Sequence, residues 1–229
     1  MKQKLTPHGP PLVVATAHTP RGLTEAAALR RGQADIVEVR LDCFARRADD
    51  VRSRLPLMRL PAILTARHPA EGGAGALAPR ARRALMEEFL PLAAAIDIEL
   101  RSASVLRHVA ADAARRGVVR ILSFHDFRRT PPLARLRRIV ADARRAGADV
   151  VKIAAFLRGP ADLAALLQLQ ALEGASPLAT MGMGPLGRVS RLALAASGSR
   201  LNYGYLDRPQ VPGQWPAARL RALMRETRP

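Results

Sequence analysis

Asp149-Val150-Val151-Lys152-Ile153-Ala154-Ala155 is an apolar run of strand length with a single cation inside it. Its β-branched and small residues, its shortness and the glycine just ahead of it (Gly147) read as a buried β-strand. An amphipathic stretch precedes it at 132–147 and another follows at 160–173. Helical period, glycine, short apolar run and helical period again form one unit, and the unit recurs on both sides.

Working outward, the strand candidates are Leu12–Ala17, Ile36–Asp42, Ala62–Arg67, Ile96–Leu100, Arg120–His125, Val150–Ala155, Pro177–Met181 and Leu201–Tyr205. Segments of helical period lie near 24–33, 49–58, 79–93, 103–117, 132–147, 160–173, 187–197 and 216–227. Gly32, Gly117, Gly147 and Gly198 stand before strands, as helix C-caps do. Eight strands each followed by a helix predict an α/β protein, a (β/α)8 TIM barrel in a single domain. An open doubly wound sheet is the alternative, but eight regular units without a second domain favour closure. Residues 1–11 read as a polar, proline-bearing leader and 12–229 as the barrel.

Composition narrows the function classes. Hydrophobic residues make up 48% of the 229, ample for one continuous core. The one cysteine, Cys43, excludes an internal disulfide and any cysteine-rich metal site, and suits a reducing cytoplasm. The start of the chain has basic residues but no apolar h-region, and no run approaches the ~20 residues needed to span a bilayer. The reading is a cytoplasmic protein without a membrane partner. A net charge of +18 raises nucleic acid as a ligand. Much of it comes as arginine pairs along helical segments (Arg30-Arg31, Arg46-Arg47, Arg82-Arg83, Arg115-Arg116, Arg137-Arg138, Arg144-Arg145), which spreads it around the periphery. Aromatic residues for base stacking are only 3%. A solvated basic surface, not a specific nucleic-acid site, is expected.

Lys152 stands out within that charge, because only three of the 37 basic residues are lysines and the others are Lys2 and Lys4. Arginine can replace lysine wherever a solvated charge suffices. It cannot replace a primary amine that must lose a proton and attack a carbonyl. Lys152 is therefore a candidate imine-forming nucleophile; a snorkelling or ion-paired lysine at a strand end is the alternative.

In a parallel barrel the chemistry gathers at the C-terminal strand ends. The polar residues predicted there are Glu38, Arg40 and Asp42, then Arg67 with the acidic loop Glu71-Gly72-Gly73, then Asp97, Glu99, His125, Lys152, Ser190 and Arg191. Such strands are normally apolar on both faces, so these charges need partners or a purpose. Arg40, Arg67 and Arg191 are expected to surround Lys152 as cations that favour its free amine and bind an anionic or polyhydroxylated substrate. His125 is placed to carry a proton.

These pieces resemble type I 3-dehydroquinate dehydratases of the shikimate pathway, from about Val13 to Gln214. The resemblance rests on Asp35–Asp42, Thr65-Ala66-Arg67 with Glu71-Gly72-Gly73, Asp97-Ile98-Glu99, Ser123–Phe127 and Ala148–Ala154. Met181-Gly182-Met183-Gly184, Gly187, Ser190-Arg191 and Val211-Pro212-Gly213-Gln214 complete it. It implies that Lys152 forms a Schiff base with the ring ketone of 3-dehydroquinate, and that His125 moves protons while Glu71 orients it. It further implies that Glu38, Arg40 and Arg67 hold ring hydroxyls, Arg191 grips the carboxylate and Gln214 closes over the ring. No metal or diffusible cofactor is implied, and a homodimer is the expected assembly. Two departures stand out: Gln210 where the family usually has a serine, and Ala15 where a first-strand serine is common. Gln210 keeps hydrogen-bonding capacity and is counted with the substrate-binding residues.

Three rival readings remain. Gly182-Met183-Gly184-Pro185-Leu186-Gly187, with Asp207 beyond it, outlines a dinucleotide fingerprint, but only one more unit follows and proline sits inside it. A class I aldolase or other imine-forming lyase would share the lysine. A non-catalytic homologue binding a carboxylate or polyanion would not need Lys152, His125, Glu71 and Arg191 together.

Overall fold

The computed structural model describes residues 5–227; Lys2, Lys4 and the first part of the leader lie outside the described residues. Eight parallel strands form one sheet: β1 (Leu12–Ala17), β2 (Ile36–Arg40), β3 (Ala62–Thr65), β4 (Ala95–Glu99), β5 (Val119–Asp126), β6 (Val150–Phe156), β7 (Leu178–Met183) and β8 (Leu201–Tyr205). Between and after them run α1 (Pro20–Ala28), α2 (Ala48–Arg54), α3 (Pro79–Phe89), α4 (Arg107–Arg115), α5 (Leu133–Arg145), α6 (Pro160–Glu173), α7 (Gly187–Ala196) and α8 (Ala217–Glu226). The strand order β7-β6-β5-β4-β3-β2-β1-β8 is that of a nearly closed (β/α)8 barrel.

The seam between β7 and β8 lacks a regular ladder. The Arg200 N–H donates to the Leu178 carbonyl at 2.8 Å. Ser199 Oγ accepts from the Thr180 N–H at 2.9 Å and donates to the Thr180 carbonyl at 3.1 Å, so a side chain stands in for a missing strand residue. The backbone polar groups there are satisfied without a ladder.

The helices form for the reason their period suggests. In α5, Leu136, Ile139, Val140 and Ala143 recur at i, i+3, i+4 and i+7 and are buried, while the arginines fall on the other face. Gly147, at φ 88°, ends the helix and turns the chain into β6, with the Ala148 N–H reaching back to the Ala143 carbonyl. α1 begins earlier than its apolar spacing predicts. Thr19 Oγ1 accepts from the Gly22 N–H at 2.9 Å and Pro20 occupies the first turn, and together they pull the start back to Pro20.

Alternation along each strand divides the core in two. Val37, Val39, Ile96 and Ile98 face the helices, whereas Val14, Ile36, Ile63, Ile121 and Val150 fill the barrel interior. Leu5 joins the interior cluster. Arg200, itself buried, donates to the carbonyls of Thr6, Pro7, His8 and Pro10, which holds the start of the described chain against the barrel. One expectation about charge is corrected here. Arg82 is not peripheral; it is 2% exposed and its guanidinium is spent inside the barrel wall on Glu99.

Candidate active site

Inward-pointing residues at the C-terminal ends of the strands are charged where those below are apolar. Glu38 and Arg40 on β2, and Asp97 and Glu99 on β4, follow Ile36 and Ala95 at the period of two. They open into a cavity of about 460 Å³, lined among others by Glu38, Arg40, Arg67, Glu71, His125 and Lys152, with Arg191, Gln210 and Gln214 across the mouth. All nine residues singled out from sequence as site residues therefore meet at one cavity.

Lys152 is 4% exposed. Its Nζ donates to Asp97 Oδ2 at 2.9 Å, lies 3.7 Å from Glu38 Oε1 and sits 3.8 Å from the centroid of the Tyr203 ring. This corrects the expectation that arginines would crowd the amine. Its direct ionic partners are acids, and the arginines stand behind them. Asp97 Oδ1 accepts from Arg67 Nη1 at 2.9 Å and from Ser123 Oγ at 2.6 Å. Burial alone would raise the Asp97 carboxyl, but Arg67 and Lys152 outweigh it and hold the group far below the usual carboxylate range.

The network continues away from the cavity. Arg67 Nη1 also reaches Glu99 Oε1 at 3.1 Å, and Glu99 Oε2 accepts from Arg82 Nη2 and Ser102 Oγ. Glu38 accepts from Thr16 Oγ1 at 3.1 Å and from Thr65 Oγ1 at 2.9 Å. Arg40 makes a two-point contact with Asp42, at 3.0 and 2.8 Å, and donates to the Gly72 carbonyl. Asp42 in turn accepts from the Arg67 and Ala74 N–H groups, so it ties the loop after β3 to β2. Buried charges in this region are thus paired and hydrogen-bonded, as low-dielectric surroundings require.

Glu71 lies on a short 3-10 turn, Pro69–Glu71, pinned by backbone bonds from Glu71 and Gly73 to the His68 carbonyl. Glu71 Oε2 accepts the His125 backbone N–H at 3.0 Å and meets His125 Nδ1 at 2.9 Å. Burial, then the charge of Glu99, pushes the Glu71 carboxyl up to about 7. Burial, then Arg67 and Lys152, pushes His125 well below its ordinary value. The imidazole is neutral at pH 7, and a proton on Nδ1 shared with Glu71 leaves Nε2 as the free base.

Arg191 differs from the other cations. It is 2% exposed, with hydrogen bonds only to the carbonyls of Gly213 (3.2 Å) and Tyr203 (2.9 Å) and no acid partner among the described residues. Burial pushes its guanidinium down to about 10, still charged at neutral pH. A desolvated cation facing a cavity without a counter-ion is an anion site.

Gln214 Oε1 accepts the Gln210 N–H at 2.7 Å, so its carbonyl end organises its own loop. The glycines of the apparent dinucleotide fingerprint serve that same loop. A Cβ on Gly213 (φ 83°) would lie 2.7 Å from the Gly184 carbonyl oxygen, and one on Gly187 would lie 2.9 Å from Gly213 Cα. The space a diphosphate would need above α7 is filled by the chain's own backbone.

The chain from 12 to 228 matches the family model for type I 3-dehydroquinase. The chain belongs to the type I 3-dehydroquinase family. Among curated relatives, the 3-dehydroquinate dehydratase of Methanothrix thermoacetophila is 35% identical over 195 residues, covering 84% of this chain and 81% of the relative. That of Klebsiella pneumoniae is 36% identical over 230 residues, covering 93% and 86%. A crystal structure of type I 3-dehydroquinate dehydratase from Clostridium difficile, with covalently modified comenic acid, superposes with a TM-score of 0.86 at 26% identity, covering 99% and 98%.

Within this type I 3-dehydroquinase, the structure adds one hydroxyl that sequence reasoning did not single out. Ala15 faces the helices with Val13 and Ala17. The inward hydroxyl of β1 is Thr16, which lines the cavity and donates to Glu38. Counting in twos from the apolar Val14 would have found it. Tyr203, Met181 and Met183 also line the cavity, and apolar spacing alone marks them only as core. Ser190 was grouped with the site, but its Oγ donates to the Gly187 carbonyl inside α7, a structural role.

Proposed function

We propose that this chain eliminates water from 3-dehydroquinate to give 3-dehydroshikimate, with Lys152 as the Schiff-base nucleophile and His125 as the proton carrier. The observation that carries the assignment is one cavity holding a buried primary amine, a neutral histidine braced by a carboxyl group and a buried arginine with no counter-ion among the described residues.

The chemistry follows from those parts. Nζ of Lys152, as the free amine, adds to the ring ketone carbon; the carbonyl oxygen leaves as water and an iminium remains. Nε2 of His125 takes a proton from the adjacent ring carbon, and the electron pair of that C–H bond flows into the iminium to give an enamine. The enamine then expels the hydroxyl one carbon further on, which departs as water with the proton held by His125. Water hydrolyses the product iminium and restores the amine. The iminium stabilises the developing carbanion far more than the ketone does, so the binding energy acts on the transition state. Glu71 fixes the imidazole tautomer, Arg191 receives the carboxylate, and Glu38, Arg40 and Arg67 border the ring with polar groups. Gln210 and Gln214 cover it from the loop after β8. A sugar-phosphate aldolase reading has less support, because the buried cation facing the cavity without an acid partner among the described residues, Arg191, suits one carboxylate.

A cytoplasmic location accords with the lone Cys43, whose thiol is pushed up to about 12 by burial and then by Asp42. No helix among the described residues is long and apolar enough to cross a membrane. The test is borohydride reduction in the presence of 3-dehydroquinate, followed by peptide mass spectrometry. A reduced adduct on the peptide containing Lys152 is expected, and Lys152→Arg should lose both adduct and turnover while keeping its fold. An adduct on another peptide, or turnover by Lys152→Arg, would remove Lys152 from its role.

A further inference from the structure

His18 continues the inward-facing series Val14, Thr16, His18 one step past the end of β1, and it lines the cavity on the same wall as Arg208, Pro209 and Gln210. The ring is half-buried. Its Nδ1 is shielded and has no hydrogen-bond partner. Asp207 Oδ1, on the neighbouring loop, is likewise shielded and unpaired, so no hydrogen bond joins the two. Nε2 makes no hydrogen bond to any described residue and is not among the shielded atoms, so in a ring that lines the cavity it is the nitrogen left accessible. A proton on Nδ1 would be a buried N–H with nothing to receive it, so the neutral tautomer keeps its proton on Nε2.

The backbone beside the ring is also held in place. The next residue, Thr19, caps α1 through its Oγ1 and donates to Asp207 Oδ2 at 2.5 Å, which clamps the loop after β1 to the loop after β8. Burial lowers His18 from its ordinary value; Asp207 opposes this, and Arg40 and Arg208 add to it. The result is a neutral donor on a clamped loop at the rim, beside the loop that carries Gln210.

We propose that His18 is a substrate-binding residue of this enzyme, donating from Nε2 to a ring hydroxyl oxygen of the bound substrate. This rests on the dehydratase reading above. The contact is made with ground state and transition state alike, because His18 moves no proton in the reaction proposed above. Its loss raises KM and leaves kcat in place.

Steady-state kinetics on 3-dehydroquinate with His18→Gln, His18→Asn and His18→Leu test the assignment, because a glutamine amide nitrogen can occupy the Nε2 position and an asparagine cannot. His18→Leu and His18→Asn should raise KM about fivefold, the ~1 kcal/mol of one neutral hydrogen bond, with kcat within about twofold. His18→Gln should restore KM to near the parent value. Thermal melts confirm folding, and the Gln–Asn comparison decides the matter if the leucine variant fails to fold. Unmoved KM in all variants, or a fall in kcat at constant KM, would overturn the role of His18 alone. No turnover by the unmodified enzyme would instead overturn the dehydratase reading on which it rests.

Discussion

Replacing Glu71 by glutamine should make the protein more stable at neutral pH while making it a poorer enzyme. The carboxyl is buried beside Glu99, and it is pushed from its ordinary 4.5 up to about 7. A raised acid binds its proton more tightly in the folded chain than in the unfolded one. Its contribution to stability is therefore complete below the unfolded value, near pH 4.5, and declines until the folded value near pH 7 is passed. The interval of about 2.5 units, at ~1.36 kcal/mol per unit, sets the loss at roughly 3 kcal/mol. Glutamine keeps an oxygen to accept the His125 backbone N–H and carries no charge to desolvate, so the variant escapes the decline. Urea denaturation of both proteins from pH 4 to pH 8.5 measures this. The stability difference, Gln minus Glu, should rise by roughly 3 kcal/mol across pH 4.5–7 and then level off. At pH 8 that corresponds to a Tm higher by roughly 6–12 °C for a chain of this size. Comparing the two proteins at each pH removes the terms they share. A difference that stays flat with pH would refute the claim that burial and Glu99 raise this carboxyl. Activity should fall in the same variant, because the group that tunes and orients His125 has lost its charge; such a trade of stability for function is common at active sites.

Two further outcomes follow from the geometry. Arg191→Ala should raise KM by roughly ten- to a hundredfold, since a hydrogen bond to a charged group contributes about 1.5–3 kcal/mol; an unchanged KM would place the carboxylate elsewhere. Ser199→Ala should destabilise the fold by about 1–3 kcal/mol, read by denaturant unfolding, because it strands the Thr180 N–H and carbonyl at the barrel seam; an unaffected midpoint would mean that the seam is held by other contacts.

Much of the architecture was legible because both of its periods are local. The period of two in Glu38-Val39-Arg40 and the 3.6 period of Leu136, Ile139, Val140 and Ala143 are properties of neighbouring residues, and glycines such as Gly147 mark the joints. Element ends were less legible. Capping by Thr19 and Pro20 overrode apolar spacing at α1, and the chain after Arg40 folds into a 3-10 turn where a longer strand was expected. Thr16 was passed over although counting in twos from Val14 sets it inward; that it meets Glu38 is decided by the register of β1 with β2.

By itself, the sequence determined the barrel, the set of polar residues at its mouth and the standing of Lys152 as the one lysine beyond the leader, among arginines. These follow from residue type and spacing, which need no knowledge of distant contacts. The tertiary structure alone decided who pairs with whom. It set Asp97 rather than an arginine against Lys152, sent Arg82 inward to Glu99, left Arg191 without an acid among the described residues, and put His18 on the cavity wall. The physical reason is that electrostatic pairing depends on distances of a few ångströms between strands far apart in sequence, and on burial that removes competing water.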